Sequence, residues 1–272
     1  MIKNIVIGKN SNLSNHIYKQ LSNCSLISSR EIFNDVNILL EFKYENINII
    51  FNNFQPAIEL NSIENNSKYI TNSILITSMI LDYFKNTQIN KLIYTSSSSV
   101  YGNNILCSEK DDLKPMNLHA SLKVANEKLI ENYCSKNNID YTIARIFNMY
   151  GGDDNFSVIS KIIKAYKTSQ ELTIANNGNA IRDFIHIDDV VNSYIRILEI
   201  RGLNIVNIGT GTGHSIKNIL DFLENNKISI KTKNIYRDEL KTSTANNRLL
   251  CEVVCIDSFT DIRTYLKKEL DI

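Results

Sequence analysis

Short apolar runs alternate along this chain with longer stretches whose apolar residues recur every three or four positions, and that rhythm constrains the fold more than any other feature. A strand buried on both faces of a parallel sheet needs such a run, and the crossover to the next parallel strand needs a helix. The pattern predicts strands over Ile5–Gly8, Cys24–Ile27, Ile47–Asn52, Lys91–Thr95, Tyr141–Phe147 and Asn204–Ile208. It predicts helices over Leu13–Leu21, Ile32–Phe42, Ser67–Phe84, Ser121–Cys134, Val158–Tyr166, Val190–Ile200, Ile216–Leu223 and Ser258–Leu270. In the first of these helices Leu13, Ile17 and Leu21 share one face. The class is α/β. With only Pro56 and Pro115 in the chain, no proline-rich linker separates domains, and lobes interwoven in sequence are expected.

Composition narrows the partners. The formal charge is +1 over 272 residues, and no Lys/Arg run is present. Neither nucleic acid nor an anionic membrane is expected as partner on electrostatic grounds. No apolar stretch is long enough to cross a bilayer. The N-terminus enters a strand at once, without a signal-peptide pattern. Five cysteines, Cys24, Cys107, Cys134, Cys251 and Cys255, show no Cys-x-x-Cys pair and no histidines spaced to complete a metal set. They read as reduced thiols of a cytoplasmic protein, with no metal.

Chemistry concentrates between Tyr94 and Lys123. The run Tyr94-Thr95-Ser96-Ser97-Ser98-Ser99-Val100-Tyr101-Gly102 ends a strand, and His119-Ala120-Ser121-Leu122-Lys123 opens a helix. The first resembles the Ser-Ser-x-x-Val-Tyr-Gly signature of the extended short-chain dehydrogenases, the NAD-dependent epimerase/dehydratase family that modifies nucleotide sugars. The second resembles that family's Tyr-x-x-x-Lys helix, with His119 in place of the tyrosine. Further on, Arg145-Ile146-Phe147-Asn148-Met149-Tyr150-Gly151 and Arg182-Asp183-Phe184-Ile185-His186-Ile187-Asp188-Asp189-Val190 resemble the family's substrate-side segments. So does the turn Asn207-Ile208-Gly209-Thr210-Gly211. The resemblance extends over essentially the whole chain.

That resemblance implies a Rossmann-type doubly wound parallel sheet with a small C-terminal substrate lobe. Residues 1–150 would form the dinucleotide-binding core and 151–272 mainly the substrate lobe, with segments near 185–210 returning to the core. NADP or NAD is the implied cofactor. Its pyrophosphate would meet the loop Gly8-Lys9-Asn10-Ser11-Asn12-Leu13-Ser14. Gly8 holds the first place of the family's Gly-x-x-Gly-x-x-Gly, and Ser11 and Ser14 hold the other two. Glycine lets the backbone turn tightly and approach a phosphate at a helix N-terminus. A strand–turn–helix with Ser11 as N-cap is the plainer reading of these residues. Arg30 stands where an acidic residue would hold the adenosine ribose. It suits a 2′-phosphate and hence NADP, or is a surface charge. Asn52 ends the third strand and Phe54 follows it, where the family lines the cofactor.

By the same resemblance Ser97 polarises the reacting oxygen, although the serine run leaves Ser96, Ser98 and Ser99 open. Lys123 holds the nicotinamide ribose. The spacing of four puts His119 and Lys123 on one helix face. Histidine has an ordinary pKa of about 6.5 and can carry a proton near neutral pH. A nearby ammonium lowers that value, making neutral imidazole a workable base. As an acid it would need to be charged or relayed. His119 as filler at a decayed site stays open. Tyr101 belongs to the substrate fit, and Asn148, Arg182 and Arg237 to the diphosphate, where a guanidinium can make paired bonds. His186 and Asp188 are expected to brace the lobes and cap the Val190 helix.

The function implied is an NAD(P)-dependent nucleotide-sugar 4-reductase or 4-epimerase of surface-polysaccharide precursor synthesis, acting on a nucleotide-diphosphate sugar. Family resemblance also suggests a homodimer through the Ser67–Phe84 and Ser121–Cys134 helices. The alternative is a catalytically degenerate relative that binds a dinucleotide or nucleotide sugar without turnover, motivated by the loss of two glycines and the tyrosine. A 4,6-dehydratase is disfavoured, because Ser98-Ser99 supply no acidic pair after the serine position.

Overall fold

In chain order the computed structural model runs β1 (Lys3–Ile7), α1 (Asn12–Gln20), β2 (Cys24–Ile27), α2 (Ser29–Asn34), β3 (Asn46–Phe51), α3 (Asn66–Ile70), α4 (Ile76–Tyr83), β4 (Gln88–Ser97), β5 (Asn104–Cys107), α5 (Leu118–Asn137) and β6 (Asp140–Ile146). It continues with β7 (Asn148–Tyr150), α6 (Val158–Thr168), β8 (Leu172–Ala175), β9 (Ile181–His186), α7 (Ile187–Glu199), β10 (Ile205–Ile208), β11 (Gly213–Ser215), α8 (Ile216–Asn225), β12 (Thr232–Ile235), β13 (Thr242–Ala245), α9 (Arg248–Cys251) and α10 (Ile262–Glu269). The structure describes residues 2–52 and 66–272; Phe54 lies outside them. Two units divide the chain: Met1–Val100 with Pro115–Arg145 and Tyr194–Val206, and Tyr101–Lys114 with Ile146–Ser193 and Asn207–Ile272.

The first unit is built on a six-stranded sheet in the order β10-β6-β4-β3-β1-β2. The β1–β2, β1–β3 and β3–β4 pairs are parallel. β2 lies on one side of β1, whereas β3, β4 and β6 follow on the other. The strand order therefore reverses beside β1, as in a doubly wound Rossmann-type sheet, and such sheets bind ligands outside their strands' carboxyl ends at that reversal. Ile5 and Ile7 of β1, and Ile49 and Phe51 of β3, pack with Ile76, Ile80 and Phe84 of the α4 region and Ile130 and Cys134 of α5. Val6 and Ile50 face the opposite side and are equally buried, which is why these strands read as continuous apolar runs.

The second unit carries a sheet in the order β11-β9-β13-β5, with β7 beside β9, and a two-stranded β12-β8 ribbon. Its core joins Tyr150, Ile159, Ile162, Phe184, Ile219, Leu223, Ile262 and Leu266. Buried Asp183 fastens this unit: its carboxylate accepts from the Thr210 N–H and hydroxyl, the Gly211 N–H and the Ala245 N–H. Burial pushes that carboxyl up, while these bonds hold it down. Gly209 must be glycine here, because a Cβ would lie 2.8 Å from the Asp183 carboxylate.

Several sequence expectations need correction. The single helix over Ile32–Phe42 is two pieces: α2 ends at Asn34 and a 3-10 segment spans Val36–Phe42. Asp35 causes the break, with extended backbone and a carboxylate that accepts from the Asn37 N–H at 2.9 Å. The helix over Ser67–Phe84 is interrupted by a π segment, Thr71–Leu75, between α3 and α4. α5 begins at Leu118 rather than Ser121, since the Asn117 side chain accepts from the Ala120 N–H and caps it. The closing helix begins at Ile262, where Asp261 caps it. Most strands of the second unit were not anticipated. They run from three to six residues, too short and too polar to show a period.

Candidate active site

Three adjacent parallel strands of the first unit end at the residues that carry chemistry. β1 leads into Gly8, β3 into Asn52, and β4 ends at Ser96 and Ser97. Gly8 has φ +117°, a conformation that side-chain-bearing residues avoid. It turns the chain toward Ser11, the N-cap of α1, whose hydroxyl accepts from the Ser14 N–H at 3.5 Å. Leu13 is buried beneath this turn, and Asn12 is the first residue of the helix. The buried Asn52 amide donates to both serine hydroxyls, at 2.9 Å to Ser11 and 2.8 Å to Ser14. The two residues standing at glycine positions are thus tied to the end of β3. Arg30 is exposed in the first turn of α2, which Ser28 caps.

The tight Gly8 turn and the positive end of the α1 dipole suit a pyrophosphate. The Lys123 ammonium adds a charged donor at a neighbouring strand end, and together these groups fit a nicotinamide dinucleotide; Asn52 braces the loop, with both amide hydrogens given to Ser11 and Ser14. The Ser11 and Ser14 side chains, accepting from Asn52, depart from an open glycine loop.

α5 presents His119, Lys123 and Glu127 at intervals of four, and all three are buried. This polar stripe on the inward face explains why α5 lacks a clear apolar period. The Lys123 Nζ donates to the Thr95 carbonyl at 2.8 Å and lies 5.2 Å over the Tyr94 ring. α5 therefore docks its lysine on the last residues of β4, beside the serine run. Burial lowers the lysine pKa to about 8, against the opposing charge of Glu127. Burial, with the Lys123 charge, lowers His119 to about 4. At neutral pH the pair is a neutral imidazole beside an ammonium. The His119 Nδ1 lies 3.0 Å from the Tyr69 hydroxyl of α3.

Ser97 is partly exposed, and its hydroxyl accepts from the Ser99 N–H at 3.2 Å and lies 3.0 Å from the Ser99 hydroxyl. Ser96 points inward and donates to Glu127, which also binds Arg145 through Nε at 3.1 Å and a terminal nitrogen at 2.7 Å. Of the four serines, Ser96 is thus committed to the interior. Glu127 and Arg145 form a buried pair that sequence reasoning missed. The spacing of four from Lys123 to Glu127 was the available signal. Tyr69 was also missed, and its distance along the chain left no signal at all.

In the second unit Tyr101 is buried and donates to Asn207 at 2.7 Å. Asn148 donates to the Asp183 carbonyl at 3.0 Å, next to Arg182 on β9. Arg182 and Arg237 converge on one oxygen of Glu239, at 3.6 and 4.0 Å, so the structure brings the two guanidiniums together. The expected capping role of His186 and Asp188 is different in detail. α7 starts at Ile187, the Asp188 N–H donates to the His186 ring at 3.3 Å, and Asp189 rather than Asp188 ties the helix to the Thr260 N–H at 2.8 Å. The five cysteines are unpaired. Among the described residues no cluster of His, Cys, Asp or Glu could hold a metal, and no helix is long and apolar enough to cross a membrane.

Residues 30–209 match the sequence model of the NAD dependent epimerase/dehydratase family. Protein CapI of Staphylococcus aureus is 33% identical over 62% of this chain and 54% of its own length. A UDP-glucuronate 4-epimerase of Thermodesulfobacterium geofontis is 29% identical over 68% of this chain and 59% of its own. The chain thus spans about half the length of the curated relatives it matches. In structure it is similar to the UDP-glucuronic acid 4-epimerase of Bacillus cereus in complex with UDP-glucuronic acid and NAD, with a TM-score of 0.85 over 100% of this chain and 98% of that one. At 21% identity that likeness establishes the fold.

Proposed function

This chain belongs to the NAD dependent epimerase/dehydratase family, and we propose that it is an NAD(P)-dependent nucleotide-sugar 4-reductase or 4-epimerase of surface-polysaccharide precursor synthesis. The observation that carries this reading is the docking of Lys123 on the Thr95 carbonyl at 2.8 Å. It holds the His119–Lys123 face of α5 against the end of β4, where Ser97 sits.

A bound nicotinamide dinucleotide would supply or receive the hydride at sugar C4. Lys123 holds its ribose, and Gly8, Ser11 and the α1 N-terminus receive its pyrophosphate. Ser97 donates to the C4 oxygen and polarises it, and His119 exchanges the proton. The neutral imidazole takes the proton from a sugar hydroxyl in the oxidising direction. Asn148, Arg182 and Arg237 hold the diphosphate, with Glu239 yielding its place beside the two arginines. Relatives named as UDP-sugar epimerases support the substrate class. A binder without turnover is the second reading, favoured by Ser11 and Ser14, which stand at the family's glycine positions and are tied to Asn52 in place of an open glycine loop.

The test supplies purified protein with reduced nicotinamide dinucleotide and a panel of nucleotide-4-ketosugars, and follows loss of the reduced cofactor's absorbance. Turnover by the wild type and its loss in His119→Ala are expected. Wild-type binding of sugar and cofactor without turnover supports the binder instead.

A further inference from the structure

We propose that Tyr69 is the positioning residue of His119: its hydroxyl donates to Nδ1, fixes the imidazole proton on Nε2, and completes a two-group relay that lets a neutral histidine deliver a proton. The inference rests on the proposed function and supplies the step that reading leaves open.

Tyr69 is 3% exposed and His119 8% exposed, and the phenol oxygen stands 3.0 Å from Nδ1. In so dry a setting each polar group must meet a partner. The contact is built into the fold. α3 runs into the π segment Thr71–Leu75, a distortion that recurs at functional sites. Asn126 of α5 grips that segment through the Ser73 carbonyl and hydroxyl, at 3.1 and 3.2 Å. The two helices are therefore joined at Tyr69–His119 and again at Ser73–Asn126.

Chemistry requires such a partner. Burial and Lys123 keep His119 neutral, with a pKa near 4. An imidazolium is thus absent at neutral pH, and a lone neutral ring cannot protonate an alkoxide without becoming an anion. A ring bonded to a phenol can. A bound reduced nicotinamide would supply hydride to C4, and the carbonyl π pair would move to oxygen. The Nε2–H bond breaks and the new O–H bond forms, while Nδ1 takes the proton of the Tyr69 hydroxyl. The products are the alcohol, oxidised nicotinamide, neutral imidazole and a tyrosinate. The charges that oppose imidazolium, Lys123 and the oxidised ring, both favour that tyrosinate. The oxidising direction reverses these movements from the tyrosinate form: Nε2 takes the sugar proton as Nδ1 returns its proton to the Tyr69 oxygen.

The ring tautomer reads this out without turnover. In 15N-labelled protein, long-range proton–nitrogen spectra assign the His119 ring by its absence in His119→Gln. The wild type should show one form, protonated at Nε2 and hydrogen-bonded at Nδ1. Tyr69→Phe, which keeps the aromatic packing, should give a mixture. With a turned-over ketosugar, kcat should fall about tenfold or more in Tyr69→Phe, with KM changed by less than about threefold. A wild-type ring protonated at Nδ1, or a tautomer and kcat unmoved by Tyr69→Phe, overturns the proposal. If Tyr69→Phe does not fold, the wild-type tautomer decides alone. A wild type with the Nε2–H form and no turnover removes the reductase reading and leaves Tyr69 as the positioning residue.

Discussion

Acid should weaken this fold through the buried His119 imidazole. His119 is 8% exposed, and burial with the Lys123 ammonium lowers its pKa from 6.5 to about 4. In the unfolded chain it returns to 6.5, so between those values the unfolded state binds the extra proton and stability rises with pH. The contribution is whole above pH 6.5 and is lost as pH falls toward 4. Each pH unit in that window is worth about 1.4 kcal/mol. Going from pH 7 to pH 5 therefore removes about 2 kcal/mol through His119 alone. His119→Gln abolishes the titration and keeps a polar side chain. Urea unfolding of both proteins at the two pH values isolates the effect, because every other group titrates alike in each. The wild type should lose about 2 kcal/mol more than the variant. Equal losses would refute a buried neutral imidazole. A larger loss in the variant would mean that His119 is charged in the folded protein.

Three other perturbations follow from the same geometry. Arg145→Met strands the Glu127 carboxylate in the interior, where both side chains are 3% exposed, and should cost about 3–5 kcal/mol in urea unfolding; adding Glu127→Met should recover most of that loss. Gly151→Ala forces a side chain onto φ +94° and sets its Cβ 2.4 Å from the His186 ring, at a cost of about 1–3 kcal/mol for the backbone alone. His186→Ala should relieve the steric part of that penalty and leave the backbone part. Lys123→Met removes a charged hydrogen-bond donor worth about 1.5–3 kcal/mol, so fluorescence titration should show reduced nicotinamide dinucleotide binding about ten- to a hundredfold more weakly.

Legibility followed the period of the sequence. β1, β3 and β6 fall within two residues of the runs that mark them, because strands buried on both faces leave an uninterrupted signal; β2, a half-exposed edge strand, falls at the residues expected for it. The start of α5 was harder to read. Its buried face carries His119, Lys123, Asn126 and Glu127, so the residues that make a site erase the apolar pattern that announces a helix. Asn117 was the signal present, as a side chain able to cap three residues ahead. The second unit's sheet could not be read because strands such as Gly213–Ser215 and Thr242–Ala245 are held by Asp183 and their neighbours rather than by apolar alternation. His119 and Lys123 were readable as a spaced pair. What surrounds them was not, since Tyr69 meets His119 only through the packing of two helices, and Arg145 meets Glu127 only because β6 lies beneath α5.

The central claim is hydride and proton transfer at sugar C4, and isotope transfer tests it most directly. Reduced nicotinamide dinucleotide carrying deuterium at its transferable position would be incubated with the protein and a nucleotide-4-ketosugar, and the sugar read by proton NMR. Deuterium at C4 of the product, absent when His119→Ala replaces the wild type, is the predicted result. A sugar that binds together with the cofactor and never acquires the label would contradict it.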